Sequence, residues 1–212
     1  MGVIKRGVLG GFSGRVANIV GSSWKGIAVM KSLPLSVANP RTPGQVNQRN
    51  RFSAATIAGS EMLSTICKPL WDRFAQQQSG FNAFVQANVP NFDDSGILTT
   101  GALELSRGAL TGIVITGVTV SAATKIVQVS YTNNNGVGNA LANDATYFGV
   151  TVGIVQEFEG FADVTDRTVN VAGFSLEQDF IAGDFVQVYG AIRRADGTLV
   201  SGTSYFGAVA TA

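Results

Sequence analysis

The chain contains no histidine. That absence removes the commonest general base, the Ser-His and Cys-His nucleophile pairs, and most zinc-binding patterns. A single cysteine, Cys67, leaves no intrachain disulfide to form. Its place beside Met62, Leu63 and Ile66 reads as a small hydrophobe within a helical apolar pattern. No apolar run reaches the roughly 18 residues of a membrane span. The opening residues, Met1-Gly2-Val3-Ile4-Lys5-Arg6-Gly7, lack the apolar core of a signal peptide. Arg6 stands where a myristoylation motif requires Ser or Thr. Synthesis in the cytoplasm without a visible export signal is therefore expected.

Charge is scarce as well. Asp, Glu, Lys and Arg make up 14% of the chain, against about 25% in ordinary globular domains. With 45% hydrophobic residues and 26 glycines, such a composition suits a surface covered by partners, as in a shell, tube or fibre. A neutral secreted β-protein is the alternative. The charges present are also segregated. Residues 1–90 hold ten basic residues against Glu61 and Asp72, or +8; residues 91–212 hold five against twelve acids, or −7. A basic half joined to an acidic half can pair head to tail between subunits, or lay its basic part on nucleic acid or an acidic protein surface.

What is present reads as an α+β fold: an N-terminal β-hairpin and helices, followed by an all-β immunoglobulin-like sandwich. Short apolar runs around Gly21-Ser22-Ser23 predict a hairpin near 15–31, too small to stand alone in water. Asn39 before Pro40 is extended. Thr42, Pro43 and Gln45 predict a capping box and a helix to about Ile66, ending before Pro69. Arg49 and Arg51 lie in its early turns, where the helix dipole disfavours cations, which points to acidic partners elsewhere. A second helix is expected after Pro69 with Leu70, Trp71 and Phe74 on one face. A third, capped by Ser79, carries Phe81, Phe84 and Val85.

Residues 91–96 read as a linker between a basic anchoring region, 1–90, and the sandwich, 97–212. Strands are expected at 103–106, 113–120, 124–132, 145–155, 167–174, 184–193 and 198–209. Asp196-Gly197 is a two-residue hairpin signal among them. About seven strands in this length suit an immunoglobulin-like sandwich, without the Cys…Trp…Cys core of antibody domains and with fibronectin-like or other sandwich topologies as alternatives.

No residue set supports catalysis, a cofactor or a metal. Asp93/Asp94 lie in the linker, Glu157/Glu159 would share one strand face, and Asp163/Asp166 flank a turn without EF-hand spacing. Gly7, Gly10, Gly11 and Gly14 are followed by no Gly-Lys-Ser/Thr. Basic residues near Phe12, Trp24 and Phe52 allow nucleic-acid contact, yet no nucleic-acid motif appears. Docking onto protein subunits is the favoured reading.

Three stretches carry a resemblance: Gly10-Gly11-Phe12-Ser13-Gly14-Arg15-Val16 with Trp24-Lys25-Gly26; Asn39-Pro40-Arg41-Thr42-Pro43 with Gln48-Arg49 and Phe52; and Val200-Ser201-Gly202-Thr203-Ser204-Tyr205-Phe206-Gly207. Together with Ser79-Gly80-Phe81-Asn82-Ala83-Phe84, they resemble an uncharacterised family of Bacteroidota and their phages and prophages. The resemblance implies a virion-associated structural protein with an immunoglobulin-like C-terminal part, and it carries over no catalytic or binding residues. On that reading Arg15, Trp24, Lys25, Arg41, Arg49 and Arg51 form the anchoring surface. The expected partners are other virion proteins and the chain itself, in a particle assembled in the host cytoplasm. An adhesin-like surface module and a nucleic-acid-binding packaging accessory are the alternatives.

Overall fold

The computed structural model describes residues 3–4, 12–24, 27–36, 39–153, 157–162 and 164–212. The chain divides into two compact units, Met1–Arg41 and Thr42–Ala212.

In the first unit, β1 (Val3–Ile4), β2 (Phe12–Val16), β3 (Ile19–Trp24) and β4 (Ile27–Ser32) form an antiparallel meander in that order. The predicted hairpin is thus larger, and its turn lies elsewhere. Gly21, Ser22 and Ser23 are strand residues, paired with Met30, Val29 and Ala28. Gly21 serves packing instead, because a Cβ there would meet the Phe12 ring at 2.6 Å. The chain turns at Ala17-Asn18, with Ala17 in the left-handed region at φ 50. Gly21 is the one buried residue among those described in this unit. Met30 is 65% exposed on one face, with Val16 and Ile19, and Ile27 is 61% exposed on the other, with Val29. Its described residues place apolar side chains on both faces and form almost no core.

The second unit starts with α1 (Pro43–Glu61). Thr42 is its N-cap and Pro43 occupies the first turn, but Thr42 makes no side-chain cap bond, so the predicted capping box does not form. The Thr42 carbonyl accepts from the Gln45 and Val46 amides instead. The chain also stays helical past Pro69, contrary to the expected break. A π-helical turn, Leu63–Cys67, leads directly into α2 (Lys68–Trp71), where Pro69 sits in the first turn and needs no N–H partner. Ser79 caps α3 (Gly80–Asn88) as expected, its Oγ accepting from the Asn82 amide at 3.3 Å.

Seven strands follow: β5 (Ile115–Ser121), β6 (Ile126–Tyr131), β7 (Ala145–Val152), β8 (Glu157–Phe161), β9 (Val171–Ser175), β10 (Phe185–Arg193) and β11 (Ser204–Val209). The expected strand at 103–106 is an irregular segment; Leu103 and Leu105 are buried there, and the Leu105 amide donates to Thr203 Oγ1. The remaining strand is β8. The sheets run β5-β6-β9 and β11-β10-β7-β8, all antiparallel. Lettered a to g, that is a-b-e against g-f-c-d. It is an immunoglobulin-like order in which the fourth strand has joined the third rather than the e edge.

The g-f-c-d sheet is covered on both sides. Phe148, Val150, Val186, Val188 and Ile192 pack against Val127, Val129 and Ala172 of the other sheet. From the opposite face Tyr147, Phe158, Tyr189 and Ala191 pack on Met62, Ile66, Leu70, Trp71 and Phe84 of the helices. Residues 91–96, read from sequence as a linker, lie inside this unit, with Phe92 buried among the same helices and strands.

A polar cluster closes one end. Arg167 and Asp144, both fully buried, pair at 3.1 Å. Arg167 also donates to Asn134 Oδ1 and to the Thr111 carbonyl, each at 2.6 Å, while Asp144 accepts from the Leu141 amide at 2.8 Å. Burial pushes the Arg167 pKa down, and the Asp144 carboxylate opposes that. These bonds pin the long 132–144 connection to the sandwich, where an unpaired charge would be costly.

Two substitutions test the double-sided sheet. Phe148→Ala is expected to lower stability by about 3–5 kcal/mol through lost burial and a cavity. Gly149→Ala, whose Cβ would stand 2.6 Å from Leu105 Cδ2, is expected to cost about 1–3 kcal/mol through overpacking. Urea unfolding of both variants measures the two sides of the sheet separately.

Candidate assembly surfaces

The residues singled out from sequence fall in three places. Arg15 is exposed on β2, its Nε donating to the Ala17 carbonyl at 3.0 Å. Trp24 ends β3, and Lys25 lies outside the described residues. Arg41 is exposed at the junction with the second unit. Arg49 and Arg51 are on α1.

Arg51 is engaged within its own unit. It pairs with Asp94 at 2.5 Å, joined by Asn47 Nδ2 to Asp94 Oδ2 at 2.7 Å and Asn50 Nδ2 to the Asp94 carbonyl at 2.9 Å. The acidic partner expected for an arginine near the start of the helix is thus present, and it ties α1 to the 91–96 segment. Asp93 is equally structural, its Oδ1 accepting from the Ser95 and Ile97 amides. Beside these residues a shallow recess of about 460 Å³ is lined by Gln48, Arg49, Phe52, Ser53 and Thr56, and Phe52 is 53% exposed.

Two surfaces were not legible as such in the sequence. The first is on the N-terminal sheet. Arg15 pairs with Val20, and Val20 with Lys31, so antiparallel register puts Arg15 and Lys31 on one face, about 10 Å apart across Val20. Ile27 and Val29 share that face. Lys31 stands at a strand edge and drew no attention from sequence, because cross-strand neighbours are set by register. No Asp or Glu occurs in residues 1–41, which hold six Lys and Arg. The remaining nine face all fourteen acids in 42–212, giving +6 and −5.

The second surface is a recess of about 640 Å³ lined by Glu61, Glu157, Glu159 and Glu177 with Phe158 and Phe161. Among the described residues no Lys or Arg lines it. Glu157 and Glu159 do share a face of β8, with Phe158 buried between them on the other. Glu61, from the end of α1, accepts the Phe158 amide at 3.0 Å. Glu159 accepts the Glu177 and Gln178 amides at 2.8–3.0 Å. Burial, then the neighbouring Glu157 and Glu159, raise the Glu61 pKa above its ordinary 4.5, and the Phe158 N–H only partly offsets this.

No cluster of three or more metal-ligating side chains occurs among the described residues. Cys67 is buried, donates to the Gly59 carbonyl at 3.4 Å, and is pushed up to about 12 by burial and by Asp72, so it is a thiol rather than a nucleophilic thiolate. No helix among the described residues is long and apolar enough to cross a membrane.

Residues 11–207 match a family of unknown function (DUF6266). No curated protein matches the chain.

Two measurements follow from these environments. The native protein holds the Glu61 proton more tightly than the unfolded chain, so this group lowers stability as pH rises through and above 4.5. Glu61→Gln keeps an acceptor for the Phe158 amide; it is expected to flatten that slope and raise the melting temperature at neutral pH, read in thermal melts from about pH 4 to about pH 7. Cys67 is expected to resist a thiol reagent in the native protein and to react fully in urea.

Proposed function

We propose that this chain, which belongs to that family of unknown function, is a non-enzymatic structural protein of a bacteriophage particle, anchored through its N-terminal unit. The observation that carries the reading is an N-terminal unit, residues 1–41, with six Lys and Arg and no acid, whose sheet has a single buried residue, Gly21, among those described. Such a sheet exposes apolar side chains on both faces, and burial against a neighbour is what stabilises it. The second unit differs, with a double-sided core and its own buried ion pair. It is suited to stand outward as a self-sufficient module. Arg15, Trp24, Lys25 and Arg41 of the N-terminal unit remain in the proposed contact surface, and Arg49, on α1, belongs to the second unit. Arg51 instead holds α1 to Asp94.

The structure also refines where to cut. α1 contributes Ala55 and Ala58 to the core of the second unit, so a truncation has to stop before Thr42. Removal of residues 1–41 is expected to leave the unfolding transition of the second unit in place and to abolish incorporation into particles. Mass spectrometry of purified particles, with the full chain and the truncated chain supplied separately, reads both. Absence of the full chain from particles, or normal incorporation of the truncated one, refutes the reading.

A further inference from the structure

We propose that the basic face of the N-terminal sheet docks onto the glutamate-lined recess of a second copy of this chain, giving head-to-tail association. The proposal rests on the reading of that sheet as an attachment surface and names its partner. Charge complementarity carries it. The sheet offers Arg15 and Lys31, flanking Val20, with Ile27 and Val29 on one exposed face. The recess offers Glu61, Glu157, Glu159 and Glu177 around Phe158 and Phe161, with no cation among the described residues of its lining. Each surface is a mixture of apolar area and one sign of charge, and the two are opposite. Arg15, Lys31, Glu157 and Glu177 are all exposed in the single chain.

The overall charges point the same way. A unit of +6 and a unit of −5 on one chain of net +1 make a second copy a nearly neutralising partner. A nucleic acid matches only the first unit and is repelled by the second. Within the recess burial first, and Glu157 and Glu159 after it, raise the Glu61 pKa. It is bordered by β8, the last strand at one end of its sheet, and the basic face includes β4, the last strand of the N-terminal one. Because the two surfaces differ, each association leaves one of each kind free at the ends. Such a heterologous contact closes into a ring or continues as a filament.

Sedimentation velocity of the full-length chain over a range of concentrations tests this. Association is expected at about 50 mM salt and is expected to be lost at about 500 mM, where charges are screened within a few ångströms. Glu157→Lys with Glu177→Lys, and separately Arg15→Glu with Lys31→Glu, are each expected to weaken association about tenfold or more. These side chains are exposed, and Glu61 and Glu159, which accept backbone N–H groups, are left alone. A circular dichroism melt of each variant verifies folding. All four substitutions in one chain restore opposite charges with the signs exchanged and are expected to recover association. A chain that stays monomeric at low salt, including by docking its own two units, overturns the proposal. So does association indifferent to either pair of reversals, or a four-fold variant no better than the pairs. A chain that self-associates but is absent from particles keeps this proposal and refutes the particle reading; a monomeric chain found in particles does the reverse.

Discussion

Strand β7 is buried along all eight of its residues, and the second unit is organised around that burial. A pleated strand sends alternate side chains to opposite faces, so full burial requires a packed layer on each side. Phe148 and Val150 meet the three-stranded sheet, while Tyr147 and Gly149 meet the helices and the 103–105 segment. Phe161 and Phe174 stack at 4.2 Å between ring centroids, and Phe148 lies 5.5 Å from Phe174, which locks the two sheets together. On the helical side Gly149 and Gly160 leave room for Leu105, Met62 and Ile66 to approach the backbone. A two-layer sandwich thereby becomes a three-layer unit.

That arrangement explains why the helices cannot be separated from the sandwich as an anchor. Trp71 Nε1 donates to the Leu105 carbonyl at 2.6 Å, and Asn88 both donates to the Glu104 carbonyl and accepts its amide. Buried donors and acceptors of this kind are satisfied only while the layers stay in contact. On the proposed reading the N-terminal sheet is the part that meets a partner. Its described residues have strand pairing and a single buried residue, Gly21, so its apolar faces gain most from association.

On the proposed reading, segregated charge acts on assembly rather than on folding. Exposed pairs contribute little to the stability of one chain, whereas a unit without a single acid creates a field that steers a complementary surface. The glutamate recess is where the second unit concentrates its opposite sign. Arg51 shows the contrast within the basic region, since its pairing with Asp94 commits it to holding the second unit together.

Local signals were legible in the residues themselves. Ser79 as a cap, Pro43 in the first helical turn and six of the seven strands follow from short-range stereochemistry that neighbours in sequence impose, whereas the two-residue turn expected at Asp196-Gly197 is a longer one, closed by the Arg194 amide on the Leu199 carbonyl. The charge asymmetry needed only counting. Other features depended on partners distant in the chain. Gly21 looked like a turn until Phe12 was seen to fill the place of its Cβ, and Pro69 looked like a stop until the π-helical turn carried the helix through it. Leu103 and Leu105 carry a strand-like apolar pattern, yet they are held by Thr203 and the helices without joining a sheet. The boundary expected at 91–96 vanished because Phe92 packs into a core built from both sides of it. The sequence by itself determined that Ser79 caps and Pro43 opens a helix, where six strands alternate, and that the basic and acidic parts are separate. Only the tertiary structure decided which glutamates share a recess, which cations share a face and where one unit ends, because those depend on register and packing across long separations.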